Sequence, residues 1–559
     1  MSLGETADGA RQGAARHGGD HAVAVARAHG VSTMFTLSGG HVFPLYDGAV
    51  GAVPPMRIVD VRHEQTAVFA AEATARLTRS PGLAVLTAGP GVTNGMSAVT
   101  TAHFNGSPVV VIGGRAPDYR WGSGGLQEFD HPALLAPITK RAWTEHSTAG
   151  IPGAVDEAFT LAAARHGGPV FLDISLEALF GAADLALPTA ACLVTPAPAA
   201  ADIEKVAALL AGASRPVLVL GSDVWLDDAQ DAARDAAQRL RLPVIANGQG
   251  RGILPAGHEL LVTRARSMAF GQADLVIVVG TPLDFRLGYG EFGGRNGAAR
   301  AQVVHVADAA SQLAGHCELA ATAAGGLTAF FSGLADAAGA GRGSGAESWL
   351  PALQEAAASA VAADAPLLRS DASPIHPMRI YGELAALLDD DAVVIGDGGD
   401  FVSYAGKYIE PQRPGNWLDP GPYGCLGTGL GYAIAARIAR PDSQVVLLLG
   451  DGAAGFSLMD ADTLVRHHLP VVMICGNNGI WGLEKHPMQA LYGYDVAAEL
   501  QPGCRYDEVV TALGGAGELV TEAAGIGPAL RRAFASGAPY LVNVVTDPKV
   551  AYPRSTSGV

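Results

Sequence analysis

The feature that most constrains this chain is a series of short apolar runs without alternation: Leu83–Leu86, Val109–Ile112, Pro216–Leu220, Leu275–Val279, Gln444–Leu449 and Val471–Cys475. A strand with one wet face shows a polar residue at every second position, so runs of this kind must be covered on both faces. Parallel strands sandwiched between helices satisfy that demand. Helical spacing occupies the intervals, as from Gly19 to His29, Gln65 to Leu77 and Ile203 to Leu210. The expected fold class is α/β, with three doubly wound parallel-sheet domains.

Their limits follow from shifts in composition. A Pro- and Ala-rich connector covers 187–201 and a Gly-rich one 337–348, which leaves domains at 19–183, 202–335 and 373–549 and a polar tail at 550–559. A length of 559 residues exceeds what one core supports. A net charge of −17 argues against nucleic acid as a partner, because nothing offsets phosphate repulsion. Five scattered cysteines show neither a disulfide framework nor zinc spacing and fit a reducing compartment. No basic-then-apolar leader or membrane-length run is present, so the expected location is the cytoplasm, with no membrane partner.

The chemistry concentrates after two of the runs. One passes directly into Gly450-Asp451-Gly452, with Ala453 next, and the following one ends at Asn477-Asn478, 478 − 451 = 27 residues on. That interval accommodates a strand end, a crossover helix and the next strand, so Asp451 and Asn478 should lie side by side at neighbouring strand ends. A carboxylate, an amide oxygen and the Ile480 carbonyl supply half of an octahedral oxygen site for Mg²⁺. The glycines beside Asp451 would let the backbone approach a diphosphate.

This Gly-Asp-Gly to Asn-Asn spacing resembles the signature of the thiamine-diphosphate enzymes of the acetolactate synthase and pyruvate decarboxylase superfamily. The resemblance covers most of the chain and implies pyrimidine-binding, middle and diphosphate-binding domains, with Gly398 and Asp400 of Asp397-Gly398-Gly399-Asp400 also at the diphosphate. It implies that Glu64, in Arg62-His63-Glu64, shares a proton with the cofactor's aminopyrimidine, whereas on its own it reads as an ordinary helix-start carboxylate. It places the Gly424 carbonyl on the cofactor's amino group and Leu426 beneath its two rings. Because relatives bring the glutamate and the diphosphate site together from different subunits, it also implies a homodimer or homotetramer with active sites at the subunit interface.

Two members of that superfamily are echoed in different places. Leu37-Ser38-Gly39-Gly40 and Gln127-Glu128 resemble acetolactate synthase, a 2-oxoacid carboligase, although His41 departs from the usual turn. Gly455-Phe456-Ser457-Leu458-Met459-Asp460-Ala461-Asp462-Thr463 is similar to 2-hydroxyacyl-CoA lyases and oxalyl-CoA decarboxylases. The second resemblance, taken as the guide, implies cleavage of a 2-hydroxyacyl-CoA to formyl-CoA and an aldehyde or ketone, with Glu484 handling a proton, assisted by His41 or Gln127. Phosphates of an acyl-CoA substrate would then call on Arg264, Arg266, Arg286 and Arg554. ADP is compatible with such a middle domain; FAD fits the carboligase alternative instead. Trp481, Leu126 and Phe401 are either pocket-shaping or simply core residues.

Overall fold

The computed structural model describes residues 16–189, 193–339 and 346–553. By packing, the chain forms two compact units, one of residues 1–193 with 423–439 and one of 194–422 with 440–559.

The first unit holds a six-stranded parallel sheet: β1 Thr33–Thr36, β2 Arg57–Asp60, β3 Gly82–Leu86, β4 Val109–Arg115, β5 Ala142–Glu145 and β6 Val170–Ser175, in the order β2-β1-β3-β4-β6-β5. The four central strands are buried along their whole length, which is why their sequences do not alternate. Helix Glu64–Thr78 crosses helix Thr428–Ala439 closely: a Cβ on Gly431 would stand 2.7 Å from Cβ of Phe69. Between them Glu72 is fully buried and held by donors, from Asn105 Nδ2 at 2.7 Å and the Tyr432 hydroxyl at 2.7 Å. Burial raises its pKa, opposed by Arg76.

The second unit carries two parallel sheets. β7 Pro216–Leu220, β8 Val244–Ala246, β9 Leu275–Val279, β10 Gln302–Ala307 and β11 Ala321–Ala324 are ordered β11-β10-β9-β7-β8. β12 Val393–Asp397, β13 Trp417–Leu418, β14 Val445–Gly450, β15 Val472–Asn477, β16 Ala516–Val520 and β17 Tyr540–Val545 are ordered β13-β12-β14-β15-β17-β16. The α/β class and the three parallel sheets match the sequence expectation.

The Gly-rich stretch 337–348 differs from its reading as a linker. Helix Leu327–Ala338 runs into its beginning, and a 23-residue helix, Ala346–Leu368, starts inside its end despite Pro351 and Pro366. Trp349, Leu350 and Leu353 explain the second helix, because all three are buried in the core of the β7–β11 sheet and Trp349 Nε1 donates to the Pro216 carbonyl at 3.1 Å. Tertiary burial outweighs two prolines and a weak local pattern. The chain's last described residues are also anchored: the Tyr552 ring meets Tyr404 edge-on at 4.8 Å and its hydroxyl reaches the Ser403 carbonyl at 3.4 Å. Among the described residues, no helix is long and apolar enough to cross a membrane.

Candidate active site

β12, β14 and β15 are neighbours, and their carboxyl ends deliver three oxygen-bearing side chains. Gly450 pairs in register with Gly476, so the residues just past them emerge side by side. Asp451 opens the helix Asp451–Ser457, with Oδ2 accepting from Gly479 N at 2.6 Å and Oδ1 from Gly452 N at 3.0 Å. Asn478 Oδ1 accepts from Ile480 N at 3.1 Å, while its Nδ2 lies 3.4 Å from Asp400 Oδ2. Asp400 starts the helix Asp400–Tyr408, its Oδ1 taking the Phe401 amide at 2.9 Å. Asp451 and Asn478 are therefore adjacent, as their spacing suggested, and Asp400 joins them.

This cluster is electrostatically incomplete. Burial pushes Asp451 up to about 7, with the nearby Asp400 carboxylate adding to the rise, and Asp400 is itself raised by burial. A buried and a half-buried carboxylate side by side fit a hard divalent cation, and the donors present are the oxygens Mg²⁺ takes. Gly450 has open space where a Cβ would be, and Gly398, at φ +112°, brings its backbone beside Gly450, as a diphosphate cradle requires. Gly452 is a glycine for another reason: the Trp481 ring lies where its Cβ would be, 2.4 Å away. Ala453 and Ile480 are buried beside it. Phe401 is a core residue seated over Gly476. Glu484 is exposed in the first turn of helix Gly482–Tyr492, which buries none of its side chains.

In the first unit Glu64 is the first helical residue, nearly buried, behind an N-cap in which His63 Nδ1 accepts from Gln65 N. Its Oε2 accepts from Asn94 Nδ2 at 3.0 Å. Asn94 ends the short helix Pro90–Asn94 that follows the Gly89 turn. Past the end of β1, His41 sits against the glycine side of β4, since a Cβ on Gly114 would come within 2.5 Å of the His41 Cβ. Its Nδ1 pairs with Thr87 Oγ1 at 3.2 Å. Burial lowers its pKa, as does His131, against the Leu126 carbonyl and Asp173.

Gln127, at φ +61°, packs on Gly89, whose added Cβ would meet the Gln127 Cβ at 2.9 Å. His41 and Leu126 both line an open cavity of about 770 Å³, together with Gly40, Pro117, Arg120, Glu177 and Phe180. Gly424, at φ +68°, is exposed with open space at its Cβ position, and Leu426 is half-buried.

The arginines of the middle domain have partners of their own. Arg264 is bound by Asp364 and reaches the Lys407 carbonyl at 3.2 Å; Arg286 grips Asp284 at 2.8–3.1 Å. Arg266 donates to the Arg286 carbonyl, and burial together with Arg251 and Arg286 lowers it to about 10. Arg554 lies outside the described residues. No disulfide joins the described cysteines, Cys317, Cys425, Cys475 and Cys504. The sequence reading missed His131 and Asp173, which stand behind the Gly89 turn; the only local hint was Asp130-His131-Pro132, a helix-start pattern.

Family profiles agree with this layout. The N-terminal TPP binding domain of thiamine pyrophosphate enzymes matches residues 16–134, their central domain 203–334 and their C-terminal TPP binding domain 397–544. A probable acetolactate synthase of Mycobacterium bovis is 50% identical over 95% of this chain and 96% of its own. The 2-hydroxyacyl-CoA lyase 2 of Caenorhabditis elegans is 34% identical over 91% of this chain and 85% of its own, and that of Homo sapiens 31% over 90% and 85%. With three parallel sheets, a glutamate at a helix start and an oxygen site at neighbouring strand ends, this chain belongs to the thiamine pyrophosphate enzymes, in the acetolactate synthase and 2-hydroxyacyl-CoA lyase family.

Proposed function

We propose that the protein is a 2-oxoacid carboligase of the acetolactate synthase kind. The observation that supports this reading is the likeness over nearly the whole chain, 50% identity across 95% of it, to a probable acetolactate synthase; Gly40, which ends one of the two stretches that resemble acetolactate synthase, and Leu126, which precedes the other, line one cavity in the first unit. Part of the lyase-like run is accounted for by folding: Asp460 and Thr463 are both buried and bonded to each other at 2.9 Å and Ala461 is core, whereas Phe456 and Met459 are exposed. With Arg264 and Arg286 already satisfied by carboxylates, the cations suggested for CoA phosphates carry less weight.

Thiamine diphosphate, when bound, supplies an electron sink that lets an acyl carbon act as a nucleophile. Asp451 and Asn478 side chains and the Ile480 carbonyl would hold Mg²⁺ and through it the diphosphate. Glu64 would hold the proton shared with the aminopyrimidine, aligned by Asn94. His41 and Gln127 would face the reacting carbon, His41 offering an imidazole that can move a proton. Arg120, at the cavity wall, is the cation for a 2-oxoacid carboxylate. In this reading the site assembles in a homodimer or homotetramer.

Cleavage of a 2-hydroxyacyl-CoA to formyl-CoA is the second reading, favoured by the names of the 31–34% identical relatives and by Gly455–Thr463. A paired assay with thiamine diphosphate and Mg²⁺ separates them. Pyruvate converted to acetolactate, with a 2-hydroxyacyl-CoA left intact, is the expected result; formyl-CoA release alone would overturn the carboligase. A yellow purified protein would add FAD in the middle domain to the first reading, whereas bound ADP would favour the second.

A further inference from the structure

The Gly89 turn is held from behind by a buried pair of side chains. His131 and Asp173 are both fully buried. Gly89 N donates to His131 Nε2 at 2.8 Å, so the imidazole carries its proton on Nδ1, which faces both Asp173 oxygens at 3.2–3.3 Å. Arg115 Nη1 also donates to Asp173, to Oδ2, at 3.2 Å. The turn so fixed has three outlets. Gly89 abuts Gln127, Gly91 faces Glu64 Oε1 with 3.8 Å from where its Cβ would be, and the helix Pro90–Asn94 ends at the residue bonded to Glu64.

We propose that His131, oriented by Asp173, is a positioning residue for cofactor activation: by accepting the Gly89 amide proton as a neutral imidazole, it sets the turn that aligns Asn94 with Glu64. The inference rests on Glu64 as the activating carboxylate and is independent of the choice between carboligase and lyase.

Its chemistry follows from the acceptor. A second proton on His131 occupies the Nε2 lone pair, and the Gly89 amide, buried, then has no partner there. The charged groups facing the ring are Asp173 on β6, Arg115 at the end of β4, acting through Asp173, and His41 beyond β1, which interacts with His131 by charge. Phe129 and Phe171 pack on the ring and do not titrate. Loss of the acceptor at this position would therefore loosen the turn.

Exchange of the bound cofactor's C2 proton with solvent deuterium reads activation directly and needs no substrate. It should be measured for holoenzyme carrying wild-type sequence, His131→Phe, His131→Gln and, as control, Glu64→Ala. His131→Phe is expected to slow exchange at least tenfold, with less than a threefold change in cofactor half-saturation. His131→Gln offers another acceptor to Gly89, so it should restore the rate to within threefold of wild type. His131→Phe within twofold of wild type, or His131→Gln more than tenfold slower than wild type, overturns the proposal. The second comparison decides it where His131→Phe does not fold. Unchanged exchange in Glu64→Ala would instead overturn the assignment of Glu64.

Discussion

Asn94 Nδ2 donates to Glu64 Oε2 at 3.0 Å, tying the helix that starts at Glu64 to the turn that starts at Gly89. An amide donor leaves the carboxylate's other oxygen available and fixes the direction it faces. Glu64→Ala should keep the fold and the binding of Mg²⁺ and diphosphate while removing most turnover. Asn94→Ala should retain Glu64 but lose its alignment, lowering kcat roughly fivefold, in line with a net hydrogen-bond value of about 1 kcal/mol. Steady-state kinetics alongside calorimetric titration of the cofactor check both; normal turnover in Glu64→Ala would remove it from the mechanism.

Metal removal should expose a pH dependence set by Asp451. Its pKa in the folded, metal-free protein is raised to about 7 by burial and Asp400, above the ordinary aspartate value. The folded state thus binds more protons than the unfolded one between the two values, so chelated protein should lose stability as pH rises from about 4 to 7. The loss should be on the order of a few kcal/mol. Asp451→Asn should flatten that slope in thermal melts and abolish the stabilisation by Mg²⁺ and thiamine diphosphate. A slope unchanged in Asp451→Asn would assign the effect elsewhere.

Arg264 is expected to act on stability. It joins Asp364 of the long helix to the Lys407 carbonyl, and Lys407 itself lies 3.0 Å from Asp364. Arg264→Ala should cost about 2 kcal/mol, the scale of charged hydrogen bonds, with KM for pyruvate unchanged. A selective rise in KM for an acyl-CoA would favour the lyase and return this arginine to phosphate binding.

The tail offers a third kind of test. Tyr552 is seated on Tyr404 and over the helix that begins at Asp400. Deleting residues 550–559 should raise KM for substrate several-fold if the tail orders over the site, with Tyr552→Ala giving a smaller version through an aromatic pair worth about 1 kcal/mol. Unaltered kinetics in the deletion would mark the tail as a simple terminus.

The sheets were legible because their strands are buried on both faces, so Pro216–Leu220 and Leu275–Val279 could be bounded from apolar content alone. Asp451 and Asn478 were legible for the same reason, since adjacent parallel strands bring their ends together whatever the loops do. His131 and Asp173 were not. They are 42 residues apart, His131 on the short helix His131–Leu135 and Asp173 on β6, and no local pattern joins them. The helix Ala346–Leu368 escaped because its stability comes from Trp349 and Leu353 packing on a distant sheet, which its Ala- and Pro-containing sequence does not announce.

The fully buried Glu72, satisfied by Asn105 of one stretch and Tyr432 of another 360 residues further along, has a consequence for biosynthesis. A ribosome must deliver 439 of 559 residues before the first unit owns all its parts. Until then helix Glu64–Thr78 displays an apolar face, and an acid lacking its hydroxyl donor, to whatever else is in the cell. Nascent chains stalled anywhere between residues 200 and 420 should therefore be clients of folding helpers, and a gene split at the first connector should yield an N-terminal fragment that does not stay in solution by itself.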